Sequence, residues 1–356
     1  MNEAFWNGRR VFLTGHTGFK GSWLSLWLQR LGANVTGYAL DPPTTPNLFE
    51  QAQVQNGMGS VRADIRNADS LQAAVRAAAP QTVFHLAAQP LVREAYADPV
   101  ETYDVNVMGT IRVLEALRQA DAVGEVVIVT TDKCYRNDER DRGYREDEPM
   151  GGDDPYSSSK GCVELLTASY RTSFFRDAGT ARIATARAGN VIGGGDYAKD
   201  RLVPDLLAAA EGGTPARIRN PNAIRPWQHV LEPLHGYILL AEALHDQRES
   251  AAEGWNFGPA DDDAKPVSWI ADFVTEAWGD DASWVADDGE HPHEATYLKL
   301  DSTKARERLD WRPRLNLPNG LEWTIAWTRA RLAGEDLRAR CLADIERYSH
   351  LTACIS

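Results

Sequence analysis

Cysteine is scarce in this chain, with four among 356 residues. Cys134, Cys162, Cys341 and Cys354 show neither the paired spacing of a metal or redox motif nor the density of a disulfide scaffold, so no metal and a reducing, cytoplasmic setting are expected. Apolar runs long enough to span a bilayer are missing, and no charged start leads into an apolar signal core, which argues against membrane insertion and export. Positive charge is in deficit. The 38 Lys and Arg stand against 51 Asp and Glu, and the net charge of −13 repels nucleic acid and anionic membranes. Any anionic ligand therefore needs a local arginine cluster. Internal repeats and low-complexity tracts are also lacking. What remains is an ordinary globular composition, long enough for two lobes and suited to a small-molecule site.

The stretch Val11-Phe-Leu-Thr-Gly15-His-Thr17-Gly18-Phe19-Lys-Gly21-Ser-Trp-Leu reads as a buried strand, a glycine-rich turn and a helix. Glycines at this spacing allow a tight turn, close approach of backbone to a pyrophosphate and close packing of helix on sheet, while first-turn N–H groups attract phosphate. Strand and helix signals then alternate, with a strand over 10–13, a helix over 20–31 and a strand over 34–40. That order implies an α/β fold with a doubly wound, Rossmann-type parallel sheet. Asp41 lies 20 residues past Gly21, where a carboxylate can bond a ribose 2′-hydroxyl and disfavour a 2′-phosphate. It fits equally well as a solvated strand-end aspartate before Pro42-Pro43.

A third strand and its exit are expected over 61–66, placing Asp64 and Ile65 against an adenine, and a helix follows over 68–79. The segment 82–89 reads as a short apolar strand ending in Leu86, Ala87 and Ala88, small enough for a dinucleotide to lie over the sheet edge, or as a plain buried turn. From Pro99 to about 120 a helix carries Val100, Tyr103, Val107, Ile111, Leu114 and Leu117 as one stripe.

The run 125–133 is apolar until it ends in Thr130, Thr131, Asp132 and Lys133, at the carboxyl end of a strand where open parallel sheets bind ligands. Downstream, Tyr156 and Lys160 stand four apart on a helix over 155–175, so the ammonium can stabilise the phenolate and lower its pKa towards neutrality. After a strand over 181–188 the regular alternation loosens and a second lobe begins. Arg217, Arg219, Arg225 and Trp227 offer guanidinium forks and a ring to a nucleoside diphosphate, or form a charged loop around a core tryptophan. A helix over 203–212, an apolar helix over 230–245 and a strand ending at Trp255-Asn256-Phe257 follow. Asp261-Asp-Asp263 reads as a solvated loop, the tryptophans of the last third as core or interface, and the tail beyond Gly334 as an amphipathic helix. The expected lobes are 1–188 with 228–258 for a dinucleotide, and 189–227 with 259–356, a smaller mixed α/β lobe, for a sugar nucleotide.

Together the glycine loop, Thr131-Asp132-Lys133, Tyr156 with Lys160, and Arg225-Pro-Trp-Gln-His229 resemble the extended short-chain dehydrogenase/reductases, and among them the NAD-dependent sugar-nucleotide dehydratases of the CDP-glucose branch. The resemblance runs through nearly the whole chain. It implies tightly held NAD, a CDP-glucose substrate, a CDP-4-keto-6-deoxyglucose product for dideoxysugar pathways, and homodimers or tetramers built through two helices per subunit, here about 99–120 and 156–175. NAD would lie against Gly15, Thr17, Gly18, Phe19 and Gly21, then Asp41, Asp64 and Ile65, then Leu86, Ala87, Ala88, Thr130, Tyr156 and Lys160. Tyr156, held by Lys160, would take the 4-hydroxyl proton with Thr131 on the same oxygen, and Asp132 would protonate the leaving 6-hydroxyl. Lys133 replaces the glutamate that dTDP-glucose relatives use as C5 base, so it either takes that proton with a depressed pKa or orients a water. Asn190, Arg201, Arg219, Arg225 and Asn256 would contact the sugar nucleotide. The segment His293-Glu-Ala-Thr-Tyr297 lacks the arginine that dTDP relatives carry nearby. A nucleotide-sugar 4-epimerase needs the same loop and tyrosine-lysine pair, but not Asp132 and Lys133.

Overall fold

The computed structural model describes all residues except 178, 247, 280, 288, 290–296 and 353–356. The strands among them are β1 (Arg10–Thr14), β2 (Asn34–Ala39), β3 (Gly59–Arg62), β4 (Thr82–His85), β5 (Glu125–Val129), β6 (Arg182–Ala188), β7 (Asn190–Ile192), β8 (Ala216–Ile218), β9 (Ile224–His229), β10 (Gly254–Phe257), β11 (Ala264–Pro266) and β12 (Trp284–Ala286). Seven of them form one parallel sheet in the order β10-β6-β5-β4-β1-β2-β3. Its central strands are apolar on both faces because helices cover both. The order runs outward in two directions from β1 and β4, so the crevice beyond their carboxyl ends is the topological switch point.

One face of this sheet carries a large core in which Trp23 and Trp27 of the helix Phe19–Arg30 meet Leu234 and Ile238 of the helix Leu231–Asp246, and Trp311, Trp323 and Trp327 from the last third. The opposite face joins Phe12, Val83, Val126 and Ile128 to Val113 and Val163. A third core, around Ile192, Leu206, Ile218, Trp227, Ile270 and Leu321, belongs to the smaller lobe. That lobe holds the sheets β11-β9-β7 and β12-β8. The tryptophans expected to be core are so for Trp278, Trp311, Trp323 and Trp327.

Several local expectations are corrected. The third strand begins at Gly59, two residues earlier than expected, and ends at Arg62, its exit turning where the Asp64 carboxylate accepts the Arg66 backbone N–H at 2.8 Å. The helix from Pro99 is interrupted by a π-helical stretch, Asp104–Met108, which shifts its faces. Leu114 and Leu117 are buried, whereas Val100 is 77% and Met108 42% exposed, so the helix does not present one buried stripe. Asp263 is buried rather than solvated and accepts the Leu317 N–H at 2.8 Å. The tail helix Leu337–His350, grouped by sequence with the sugar-nucleotide lobe, instead buries Cys341, Ile345 and Tyr348 in the core beside Phe19–Arg30, with Trp27 and Tyr348 edge-on at 5.6 Å. Among the described residues no helix is long and apolar enough to cross a membrane.

Candidate active site

The glycine loop turns where sequence places it. Gly15 has φ +78°, and a Cβ there would stand 2.7 Å from the Ala87 nitrogen. At Gly21 a Cβ would lie 2.1 Å from the Gly15 carbonyl oxygen, so these glycines bring helix, loop and β4 exit together. Gly18 caps Phe19–Arg30 without a side-chain hydrogen bond, leaving first-turn N–H groups open to an anion. Half-buried Leu86, Ala87 and Ala88 line the other side of the crevice. This cradle fits a dinucleotide pyrophosphate.

Around it the expected cofactor side chains differ in availability. The Thr17 hydroxyl donates to the Leu40 carbonyl at 2.9 Å and so fixes the β2 exit. Asp41 is exposed just beyond β2, with Arg62 3.8 Å from its carboxylate. The Asp64 carboxylate is held by Arg66 at 2.7 Å, and Ile65 is buried against Gly109. Thr130 donates its hydroxyl to Glu164, leaving that group committed inside the protein.

β5 delivers Thr131 and Asp132 to the same crevice. The Thr131 hydroxyl donates to Asp132 Oδ1 at 2.9 Å, while Oδ2 is buried without a hydrogen-bond partner. Burial raises the Asp132 pKa, against the opposing pull of Lys133, Thr131, Arg225 and Lys20. The carboxyl therefore holds its proton more readily than an exposed aspartate does. Lys133, next in the chain, is partly buried and lines a cavity together with Arg225, Tyr135, Asn137, Asp154 and Ser157.

Tyr156 and Lys160 enter on the helix Pro155–Ser173, whose start is capped by Asp154. The Lys160 ammonium donates to the Val129 carbonyl at 3.2 Å, and burial lowers its pKa to about 8 while Glu164 and Cys134 oppose the shift. Burial pushes the Tyr156 phenol up to about 12, and hydrogen bonding to Thr131 with the charge of Arg201 offsets this only in part, so these protein groups do not by themselves supply the lowering expected of the tyrosine-lysine pair. The physical reason is that four-residue spacing sets a shared helix face but not the dielectric around it. The same field shows that Tyr156, Thr131, Asp132 and Arg201 converge.

On the substrate side, Arg201 pairs with Asp196 at 2.9 Å and Arg219 with Asp200 at 2.9 Å. Arg225 is buried and acts on Asp132, while Asn190 opens β7, partly exposed. Asn256 is a correction. It is fully buried, its amide donates to the carbonyls of Tyr144 and Asp301, and its oxygen accepts from the Tyr135 hydroxyl at 2.7 Å. With these bonds made inside the protein it braces the strand end rather than reaching substrate. His293, Glu294, Ala295 and Thr296 lie outside the described residues. Lys20 was not anticipated as a site residue, although it stands inside the glycine motif; the signal was a lysine in the first turn of a helix, where the dipole disfavours a cation.

A switch-point crevice with a glycine cradle and a tyrosine-lysine pair defines a dinucleotide-binding enzyme that performs acid–base chemistry at its cofactor. The family model described as GDP-mannose 4,6 dehydratase matches residues 12–324, and the chain belongs to that family. It is 52% identical over 356 residues to a CDP-glucose 4,6-dehydratase of Salmonella typhimurium, covering 99% of each chain. Among solved structures it resembles a UDP-glucose 4-epimerase of Thermotoga maritima (TM-score 0.78, 21% identity, 90% of this chain and 99% of that one). It is also similar to a dTDP-glucose 4,6-dehydratase of Bacillus anthracis in complex with NAD (TM-score 0.75, 20% identity, 92% of this chain and 99% of that one). At these identities the structural likenesses speak for the fold.

Proposed function

We propose that the protein is a CDP-glucose 4,6-dehydratase, a hydro-lyase that forms CDP-4-keto-6-deoxyglucose and water. The carrying observation is the juxtaposition of Tyr156 and Thr131 with a buried, protonation-prone Asp132, supported by the 52% identity to the Salmonella enzyme. An epimerase has use for the first pair alone.

NAD, held along the glycine cradle, supplies the chemistry of taking a hydride from sugar C4 and returning it to C6. Tyr156 removes the proton of the 4-hydroxyl, with Thr131 bonding the same oxygen; the Lys160 cation, joined by the positive charge that bound nicotinamide would bring, favours the phenolate that burial alone disfavours. The resulting ketone acidifies the C5 proton, which Lys133 takes directly or through a water it orients. Asp132 gives its proton to the departing 6-hydroxyl, which leaves as water. Arg201, Arg219 and Arg225 meet the diphosphate and Asn190 the sugar, and burial keeps bulk water from the intermediate. Two copies pair through exposed apolar residues of Pro99–Arg118 and Pro155–Ser173, namely Val100 (77%), Met108 (42%) and Leu165 (62%), with Phe174 (49%) just past the second helix. The enzyme works in the cytoplasm, feeding deoxysugar assembly.

Incubation with CDP-, dTDP-, GDP- and UDP-glucose in deuterated water tests this reading. Dehydration yields a 4-keto-6-deoxy product with deuterium at C5, from CDP-glucose in preference to the others. Inversion at C4 with the 6-hydroxyl retained would instead establish an epimerase.

A further inference from the structure

Two groups in the site lack partners, and they face one another's field. Asp132 Oδ2 is buried with no hydrogen-bond partner. Lys20, partly buried as the second residue of Phe19–Arg30, makes no hydrogen bond or ion pair with any described residue. Its electrostatic neighbours come from three other segments: Lys160 on Pro155–Ser173, Asp132 after β5, and Asp196 with Arg201 after β7. A lysine in a helix first turn, close to two other cations, is disfavoured by the dipole and by like charge, so packing alone gives no reason for it. Glycine at 189 keeps the space beside Oδ2 clear, since a Cβ there would come within 3.1 Å of it.

We infer that Lys20 is a further catalytic residue of the dehydration, its ammonium donating a hydrogen bond to the 6-hydroxyl oxygen that Asp132 Oδ2 protonates. This rests on the dehydratase reading above. The C6–O bond breaks with its electron pair going to oxygen, the oxygen takes the Asp132 proton, and the C5–H pair becomes the C5=C6 bond as the C5 base takes the proton. Lys20 stabilises the charge that builds on oxygen before proton transfer is complete, and no net proton passes through it. Burial and the charges of Arg201 and Lys160 lower its pKa to about 8, with Asp132 and Asp196 opposing, so a departing anion between Lys20 and Asp132 favours the charged ammonium.

The test compares CDP-glucose with CDP-6-deoxy-6-fluoroglucose, whose fluoride leaves without being protonated, in the NAD-loaded protein and in Lys20→Met. The variant is expected to keep the first hydride transfer, read as reduced nicotinamide, and to lose about 10²-fold in kcat on CDP-glucose and at least as much on the fluoro sugar, because a fluoride that departs unprotonated carries all the charge the ammonium stabilises. Lys20→Arg, which keeps a donor, is expected to recover part of the CDP-glucose rate. No loss on either substrate, a loss on CDP-glucose with the fluoro sugar unaffected, or loss of the first hydride transfer would overturn the assignment. Should Lys20→Met not fold, Lys20→Leu, which also lacks a donor, puts the same comparison with the same outcomes. Failure of the unaltered protein to make a 4-keto product from any nucleotide glucose would instead remove the dehydratase reading and this role with it.

Discussion

The Glu164 carboxylate lies 2.7 Å from the Arg187 guanidinium, each side chain 5% exposed, joining the helix that carries Tyr156 and Lys160 to β6. Glu164 also accepts from Thr130 and Thr185, and Arg187 donates to the Tyr135 hydroxyl, which in turn donates to Asn256. Burial pushes the Glu164 carboxyl up, but Arg187 and the two hydroxyls outweigh it and hold the pKa below the ordinary value. A depressed folded-state pKa contributes stability that is present above the unfolded carboxylate range and is lost as pH falls through the folded value. Glu164→Gln should therefore lower stability by about 3 kcal/mol near neutral pH by leaving Arg187 buried and unpaired, and should weaken the acid loss of stability. Denaturant titrations at pH 7 and in the acid range read both effects.

Tyr156→Phe should fold and retain NAD while turnover falls at least ~10²-fold, the usual scale for a positioned acid or base. Steady-state kinetics beside a cofactor-binding titration separate the two. Near-normal turnover would take the 4-hydroxyl proton away from this residue.

Lys133→Ala should stop deuterium entering C5 while leaving the first hydride transfer intact, so that reduced nicotinamide accumulates in its absorbance band after CDP-glucose is added. Unchanged C5 exchange would place the base elsewhere.

Asn256→Ala should act on stability rather than on substrate affinity. It takes away the partner of the Asp301 carbonyl and the acceptor of the Tyr135 hydroxyl proton in a buried setting, each worth roughly 1–3 kcal/mol, so thermal melting should drop with KM nearly unchanged. A large rise in KM with normal melting would return Asn256 to the substrate contacts.

Leu165→Arg combined with Val100→Arg should convert a dimer to monomers, because charge on that apolar face opposes its burial between copies. Both side chains are exposed in the single chain, at 62% and 77%, so the fold should survive. Sedimentation velocity of the parent and the double variant gives the answer.

Sequence by itself determined the parallel sheet, its glycine turn and the placing of Tyr156 and Lys160 four apart on one helix, because strand and helix periods, obligatory glycines and four-residue helical spacing are local properties. Tertiary structure alone decided that Asn256 is spent on bracing, that burial raises the phenol, that Val100 is exposed, and that Lys20 and Asp132 feel one another's charge. Burial, dielectric and hydrogen-bond partners arise from segments far apart in the chain, and no spacing rule carries them.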